Sequence, residues 1–306
     1  MICRKNDKFL IVIQGPTAIG KTKLAIEIAK KYHTEIISAD SRQMYKELTI
    51  GTAVPSPEEL KTVKHHFIHN ISIFDYYNAS KFEQEALSIL NNIFKKNNIA
   101  ILAGGSGLYI QALLKGIDEL PDVDKEIRES LIFRLNNEGI ESLRQELKLL
   151  DPEYYYAVDL KNHKRILKAL EICLITGKPY SGFLKKTSKK RDFNIISISL
   201  NKTREELYNQ INKRVDDMIN KGLIEEANNV FPHRNLNSLN TVGYKELFEY
   251  FENKISLNEA IDLIKRNTRK YARKQLTWFR RDENTKWFNP QNFDEIINYI
   301  ETSLTC

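Results

Sequence analysis

The stretch FLIVIQGPTAIGKTKLAIEIAKK, residues 9–31, decides the fold class. Its first five residues are all apolar and three are β-branched, which is typical of a strand buried on both faces of a parallel sheet. Gly15 to Thr22 then match the pattern GxxxxGK[ST], and a helix-like segment follows over Lys23–Lys31. A strand, a glycine-rich turn and a helix in this order predict backbone amides that converge on phosphate oxygens at a helix N-terminus.

Every residue of this P-loop is therefore a candidate phosphate ligand. Lys21 adds a positive charge, and the Thr22 hydroxyl is placed for Mg²⁺. The pattern indicates a phosphate binder without indicating the reaction, and a turn without any ligand is the alternative. The candidate residues are Gly15, Pro16, Thr17, Ala18, Ile19, Gly20, Lys21 and Thr22.

Further apolar runs extend this core. They lie at Glu35–Ala39, Ile99–Ala103 and Asn194–Leu200, and helix-like segments such as Phe82–Lys96 lie between them. The alternation predicts an α/β fold with a P-loop NTPase-like parallel sheet. Asp40 follows the second run and therefore lies at the ligand-binding edge of the sheet, as a general base, a Mg²⁺ ligand or a helix cap.

The sheet is predicted to be interrupted by helices. Residues 118–192 contain helix-like stretches and no convincing strand, and the chain after Leu200 reads as wholly helical. Ser256 and Glu259 form a capping-box pattern that opens a long helix. We therefore predict a first part of the α/β core over 1–117, a helical insertion over 118–192, and a last core strand with a helical C-terminal region over 193–306.

Composition bounds the remaining possibilities. The 306 residues are 42% hydrophobic, which is enough to form a packed core, and the net charge of +7 favours an anionic partner. Cys3, Cys173 and Cys306 are too far apart for a CxxC pair, so we expect neither a disulfide framework nor a cysteine-rich zinc site. No apolar run is long enough for a signal-peptide core or a membrane span. We expect a soluble, cytoplasmic monomer with no membrane partner.

Two basic blocks favour RNA as the partner. Residues 161–191 contain ten Lys or Arg and one Glu, and residues 265–281 contain eight basic residues and no acid. Such surfaces neutralise RNA phosphates, although a solvated charged face is the alternative. Tyr271, Trp278 and Phe279 within the second block either stack on bases or pack on the core. The histidines at 65, 66 and 69 lack the spacing of a zinc site.

These motifs together resemble the bacterial-type tRNA dimethylallyltransferases over essentially the whole chain. Besides the P-loop, the matching stretches are ISADSRQMYKELTIGTAVPS at 37–56, HHFIH at 65–69, AGGSGLYIQALLKG at 103–116, LPDVDKEIR at 120–128, RILKALEICLITGKP at 165–179, TVGYKE at 241–246 and RKQLTWFRR at 273–281. A P-loop alone is shared by many unrelated proteins, whereas this combination is specific.

The resemblance implies transfer of a dimethylallyl group from dimethylallyl diphosphate to N6 of adenosine 37 in tRNAs that read codons beginning with U. It implies Mg²⁺ as cofactor, a P-loop that holds an organic diphosphate rather than ATP, and the tRNA anticodon loop as partner. By motif position, Asp40 is the general base, Thr17 and Arg214 assist catalysis, and Thr22 contacts the metal. The implied tRNA contacts are Asp40, Ser41, Arg42, Gln43, Ser106, Arg128, Lys164, Arg165, Lys168, Gly243, Tyr244, Lys245, Arg273, Lys274, Gln275, Trp278 and Arg280.

Three other functions compete with this interpretation. A P-loop kinase for a small metabolite would use Asp40 as base and ATP as donor, and it has no need of the two basic blocks. A free adenine-nucleotide isopentenyltransferase shares the chemistry but leaves those blocks without RNA. A non-catalytic RNA-binding module leaves the P-loop unexplained.

Overall fold

A parallel sheet organises the larger part of the chain. The structure is a computed structural model that describes residues 7–121, 124–185 and 188–305. Within these residues the sheet has six strands in the order β3-β2-β4-β1-β5-β6, and all paired strands are parallel. The strands are β1 (Phe9–Gln14), β2 (Ile36–Ala39), β3 (His65–His66), β4 (Ile99–Gly104), β5 (Asn194–Leu200) and β6 (Lys286–Phe288).

Thirteen α-helices accompany the sheet within the described residues. They are α1 (Lys21–Lys31), α2 (Pro57–Thr62), α3 (Ala79–Phe94), α4 (Gly107–Lys115), α5 (Lys125–Glu138), α6 (Ile140–Leu150), α7 (Pro152–Ala157), α8 (His163–Thr176), α9 (Arg204–Asn220), α10 (Leu223–Val230), α11 (Tyr244–Phe251), α12 (Leu257–Phe279) and α13 (Phe293–Thr305). The predicted capping box at Ser256 and Glu259 is confirmed at the start of α12. None of these helices is long and apolar enough to cross a membrane.

The fold class predicted from the sequence is confirmed, and β1 shows why. Its six residues are all buried, with Ile11 and Ile13 in one hydrophobic cluster and Leu10 and Val12 in another. The first cluster includes apolar side chains of α1, α9 and α13, and the second includes those of α3 and α4. Because helices cover both faces of the sheet, the strand contains no polar residue until Gln14.

The prediction of a wholly helical tail after Leu200 is wrong. Residues 286–288 form β6, which pairs with β5 in the register Ile198 with Lys286. The strand has only three residues, so it has no periodicity to detect, and its conformation comes from pairing with β5. The two-residue strand β3 was missed for the same reason.

Side-chain hydrogen bonds join β1, β5 and the segment before β6 inside the core. Gln14 Nε2 donates to the Ser199 hydroxyl at 3.0 Å and lies 3.4 Å from the Thr285 hydroxyl. Thr285 in turn lies 2.9 Å from the Ser199 hydroxyl and 3.2 Å from that of Ser197. These buried groups satisfy one another, so the cluster costs little free energy in spite of its burial.

The chain divides into two compact units. One comprises residues 1–115 and 190–306 and contains the sheet, and the other comprises residues 116–189. The elements described in the second unit are α5 to α8 and a short 3₁₀ turn. Their core includes Leu131, Leu143, Leu147, Ile166 and Leu170, all nearly inaccessible to solvent.

Candidate functional site

A cavity of about 480 Å³ opens at the carboxyl edge of the sheet. β1, β2 and β4 end there in register, since Gln14 pairs with Gly104 and Ala39 pairs with Gly104 on its other side. The P-loop, Asp40 and the Gly104–Gly105 turn therefore meet at one place. Thr17 to Lys23, Asp40, Gly104 and Gly105 all line this first cavity.

The P-loop residues divide between two roles. The lining begins at Thr17, while Gly15 and Pro16 supply the backbone carbonyls that accept hydrogen bonds from Lys21 Nζ at 3.0 and 2.8 Å. Gly20 precedes α1 with a φ of 103°, a left-handed conformation that suits glycine. Burial lowers the pKa of the Lys21 amine to about 7, against the attraction of Asp40 and together with the repulsion of Arg214. A bound anion would restore its charge.

Gln275 of α12 braces the P-loop. Its Oε1 accepts a hydrogen bond from the Thr17 backbone N–H, and its Nε2 donates to the Gly105 carbonyl, both at 2.9 Å. A Cβ atom at Gly105 would lie 2.4 Å from the Gln275 amide, and one at Gly107 would lie 2.3 Å from the Trp278 indole. The glycines of the GGSG turn therefore allow close approach of α12.

Asp40 occupies the junction between two cavities. The second cavity, of about 390 Å³, shares five lining residues with the first: Thr17, Asp40, Thr52, Arg214 and Tyr271. Asp40 Oδ1 accepts a hydrogen bond from the Arg42 backbone N–H at 3.0 Å, which fixes the orientation of the carboxylate. Burial lowers the pKa of Arg214, and the charge of Asp40 opposes that shift. The charge of Asp40 thus raises the pKa of both Lys21 and Arg214 against the effect of their burial.

Several predicted tRNA contacts line the second cavity, namely Ser41, Arg42, Gly243 and Lys245. Arg42 also holds the wall of that cavity, because its guanidinium donates to the carbonyls of Ser238, Asn237 and Asn240 at 2.7 to 3.3 Å. The Ser41 backbone N–H donates to the Ser106 hydroxyl at 2.9 Å. The Gln43 amide bonds to Ser38 and to the Ala53 carbonyl and lines the first cavity.

Other predicted RNA contacts are corrected by the structure. Tyr244 is fully buried and its hydroxyl donates to Glu226, and Gln275 is buried against the P-loop. The Tyr244 side chain therefore offers no surface to RNA, whereas Gln275 also lines the first cavity and stays a proposed contact. Phe279 is 2% exposed and packs in the core rather than stacking on bases, while Trp278 is half-buried beside Gly107. Of the two alternatives for Phe279, the structure therefore supports packing in the core.

The second basic block forms an exposed face on α12 and the two residues that follow it. Lys265 pairs with Asp216 and Arg269 donates to Asn212, so these two cations are directed toward α9. The others are exposed, and we call them the basic face: Arg266, Lys270, Arg273, Lys274, Arg280 and Arg281. An open groove beside it is lined by Lys270, Arg273, Lys274, Thr277, Trp278 and Arg281.

The first basic block is less uniform. Lys164 and Arg165 are exposed in the unit of residues 116–189. In the same unit Lys168 and Arg128 lie 3.3 and 3.7 Å from the buried carboxylate of Glu171. Arg191 belongs to the other unit and is turned inward, where it pairs with Glu83 at 2.8 Å. Arg191 therefore stabilises the core and does not belong to a phosphate-binding surface.

Residues that the sequence did not single out also contribute to the site. Thr52 lies at the junction of the cavities, and Lys213 and Asp217 line the first cavity. His65, considered from the sequence only as a zinc ligand, also lines the first cavity. His66 pairs with Glu35 at 2.6 Å instead of joining His65. Among the described residues, no group of three or more His, Cys, Asp or Glu could hold a metal ion. Lys213 and Asp217 lie four positions apart on α9, and Asp217 follows Arg214 by three. This helical spacing could have suggested that they share a face with the predicted Arg214.

Comparison with known proteins shows one consistent family. The family model described as IPP transferase matches residues 43–282. The chain is 52% identical to tRNA dimethylallyltransferase 1 of Bacteroides fragilis, over 97% of this chain and 99% of that protein. It is 56% identical to tRNA dimethylallyltransferase 2 of Azobacteroides pseudotrichonymphae, over 94% of this chain and 93% of that protein.

Solved structures agree with these relatives. The structure of a tRNA isopentenylpyrophosphate transferase from Bacillus halodurans is similar with a TM-score of 0.72 and 35% identity, over 97% of each chain. A eukaryotic dimethylallyltransferase acting on tRNA is similar with a TM-score of 0.75 and 26% identity, over 89% of this chain and 70% of that one.

Proposed function

Because this chain belongs to the IPP transferase family, we propose that it transfers a dimethylallyl group from dimethylallyl diphosphate to N6 of adenosine 37 in tRNAs that read codons beginning with U. Pyrophosphate is the second product. The observation that carries this proposal is the position of Asp40 where the cavity of the P-loop joins a second cavity. A donor and an acceptor entering from different cavities would meet beside one carboxylate.

The donor diphosphate is assigned to the P-loop side of the first cavity. Lys21, Arg214 and the amides that follow Thr17 supply positive charge around one position. The C1–O bond of the allylic diphosphate breaks as negative charge grows on the leaving group, and fixed donors stabilise that charge. The apolar side chains of Ile36, Ala53 and Val54 line the same cavity and suit the five-carbon tail.

The acceptor is assigned to the second cavity. Adenine N6 is a weak nucleophile because its lone pair is delocalised into the ring. Asp40 accepts a proton from N6 as the new C–N bond forms, which is general base catalysis. An adenine stacked in a loop cannot reach a recessed carboxylate, so the base must be flipped out of the loop to enter.

Mg²⁺ is the proposed cofactor, with the Thr22 hydroxyl as its protein ligand. Thr22 lines the first cavity next to Lys21. Since the described residues contain no carboxylate and imidazole cluster there, a cation would take most of its ligands from diphosphate oxygens and water. This ligand set suits Mg²⁺, which keeps several waters and binds through phosphates. When bound, it would neutralise charge on the leaving diphosphate.

A tRNA acceptor is supported more strongly than the competing functions. The relatives are named as enzymes acting on tRNA, whereas a metabolite kinase or a free-nucleotide enzyme leaves the basic face of α12 without a ligand. An RNA-binding module without catalysis does not need Lys21, Arg214 and Asp40 around one cavity. Lys245 and Arg42 in the second cavity add positive charge where the loop backbone would pass.

One assay tests the proposal and its rivals together. The protein is incubated with unmodified tRNA, Mg²⁺ and dimethylallyl diphosphate, and the nucleoside 3′ of the anticodon is analysed by mass spectrometry. We expect the dimethylallyl mass increment on adenosine 37 and none on a tRNA with guanosine there. Parallel reactions replace the donor by ATP or the acceptor by AMP. Phosphoryl transfer, or faster prenylation of AMP than of tRNA, would contradict the proposal.

A further inference from the structure

A glutamate outside the two cavities binds the backbone of a loop that lines both cavities. Glu226 of α10 accepts hydrogen bonds from three consecutive backbone N–H groups. Its Oε2 lies 2.9 Å from Thr49 N and 2.7 Å from Ile50 N, and its Oε1 lies 2.8 Å from Gly51 N. The buried hydroxyl of Tyr244 donates to the same Oε1 at 2.6 Å. Charge-assisted bonds of this kind are stronger than neutral ones.

The loop that Glu226 holds, residues 49–55, we call the wall loop. Gly51 and Thr52 line the second cavity, and Thr52, Ala53, Val54 and Pro55 line the first. The backbone of Gly51 lies on the ring of Tyr244, because a Cβ there would come within 2.6 Å of the Tyr244 hydroxyl. Any outward shift of the loop would therefore break both its packing on the ring and its bonds to Glu226.

The wall loop is held from the side of the active site as well. Gln43 Nε2 donates to the carbonyls of Ala53 and Thr52 at 3.0 and 3.3 Å. Ala53 has a φ of 51°, a conformation that costs free energy for a residue with a side chain. A strained turn persists when its surroundings over-determine it, and Glu226 and Gln43 provide that constraint from opposite ends.

We infer that Glu226 is a positioning residue for the transfer reaction, acting through the wall loop to keep Thr52 in place where the two substrates meet and Ala53 in place beside the donor. This inference rests on the proposed function. Glu226 touches neither substrate, since it lines neither cavity. Its effect is on alignment, and misplacement of a reacting pair by about 1 Å can cost about 100-fold in rate.

The charged form of this side chain is what the geometry requires. Three amides and a phenol all donate toward it, and an ionised carboxylate is an acceptor at both oxygens. A glutamine would direct its own N–H₂ group toward donors at one of the two positions. The substitution Glu226→Gln therefore removes some of the hydrogen bonds that hold the wall loop, with almost no change in side-chain volume. The neighbouring Glu225 is exposed, so Glu225→Gln removes the same charge from the same helix as a matched control.

The test combines hydrogen exchange with kinetics. In Glu226→Gln we expect faster amide exchange in peptides covering residues 49–55 and unchanged exchange in β1 and β4. We expect kcat for tRNA prenylation to fall about 10- to 100-fold, while the affinity for pyrophosphate, which has no isoprenoid tail to contact Ala53 and Val54, changes less than about threefold. Glu225→Gln should match the wild type in every measurement.

Two outcomes would overturn the inference. One is unchanged exchange in the wall loop with unchanged kcat, and the other is faster exchange throughout the chain with a parallel loss of pyrophosphate binding, which indicates general destabilisation. If Glu226→Gln does not fold, Tyr244→Phe removes one donor while keeping the ring, and a smaller effect of the same kind is expected. Exchange and pyrophosphate binding do not need turnover, so failure of the wild type to modify tRNA would refute the proposed function separately.

Discussion

Gln275 Oε1 accepts the backbone N–H of Thr17 at 2.9 Å, so a side chain of α12 lies within the turn of the P-loop. Arg273 and Lys274, two positions and one position earlier, are exposed on the basic face. One helix therefore supports the donor site with one face and offers cations to RNA with another. This division predicts that substitutions on the two faces affect different substrates.

Gln275→Leu should weaken donor binding and spare tRNA binding. The substitution keeps the volume of the side chain but leaves Thr17 N–H and the Gly105 carbonyl without their partner, which costs about 1–3 kcal/mol when such groups are buried. We expect KM for dimethylallyl diphosphate to rise about tenfold, since 1.4 kcal/mol corresponds to a factor of ten, with little change in tRNA affinity measured by filter binding. Loss of tRNA affinity at constant donor KM would instead support Gln275 as an RNA contact.

The basic face should behave in the opposite way. Replacing Arg273 and Lys274 together by Gln removes up to two cations that pair with phosphates, and the slope of log affinity against log salt should fall by roughly 0.7 for each such pairing. Donor KM should stay at the wild-type value. Lys95→Gln with Lys96→Gln, on exposed residues after α3, provides the charge-matched control. An unchanged salt slope in the first variant would remove this face from tRNA binding.

Asp40→Asn separates proton transfer from structure. Asparagine retains the oxygen that accepts from the Arg42 backbone N–H, so the local turn is preserved. The amide is a far weaker base than the carboxylate, and we expect kcat to fall roughly 10²- to 10⁴-fold. Affinities for tRNA and pyrophosphate, measured separately, should change little. Near-wild-type single-turnover rates in this variant would exclude Asp40 as the general base.

Diphosphate binding should take up a proton above pH 7. The pKa of Lys21 is about 7 in the ligand-free protein, and a bound polyanion favours the charged amine and raises that pKa. Between the two values the complex holds more protons than the free protein, so pyrophosphate affinity falls as the pH rises above about 7.

Calorimetry at pH 8 in two buffers with different ionisation enthalpies measures this proton uptake. Lys21→Met should lower the proton uptake below that of the wild type, since only the contribution of pyrophosphate itself remains, whereas Lys30→Met, an exposed substitution on the same helix, should match the wild type. Equal proton uptake by the wild type and by Lys21→Met would show that Lys21 is already charged before the ligand binds.

Most of the fold could be predicted from the pattern of apolar and polar residues within short stretches of the sequence. β1 and β4 consist almost entirely of apolar residues because helices cover both faces of the sheet, and no solvent-facing alternation weakens the signal. β5 also contains Ser197 and Ser199, but its three isoleucines still indicate a strand. β3 and β6 were missed because two or three residues carry no period, and their conformation depends on neighbouring strands that are distant in sequence.

The candidate site was predictable where chemistry and sequence position coincide. A carboxylate directly after a parallel strand must lie at the binding edge, and Asp40 does. Gln275 and Tyr244 lie in stretches matched to RNA contacts, but the direction of a side chain on a helix depends on what packs against that helix. Glu226 carried no signal, because three of its four hydrogen-bond partners are backbone amides, which have no side-chain identity to recognise.

The hydrogen-bonded cluster of Gln14, Ser199 and Thr285 has a consequence for biosynthesis. Gln14 and Thr285 are 271 positions apart, so the strand that leads into the P-loop leaves the ribosome long before its partner exists. A nascent chain that stops short of residue 285 leaves buried polar groups unsatisfied and an open edge on β5, which is the kind of surface on which chains associate wrongly. Truncated translation products should consequently aggregate or be degraded rather than accumulate as partly active enzyme.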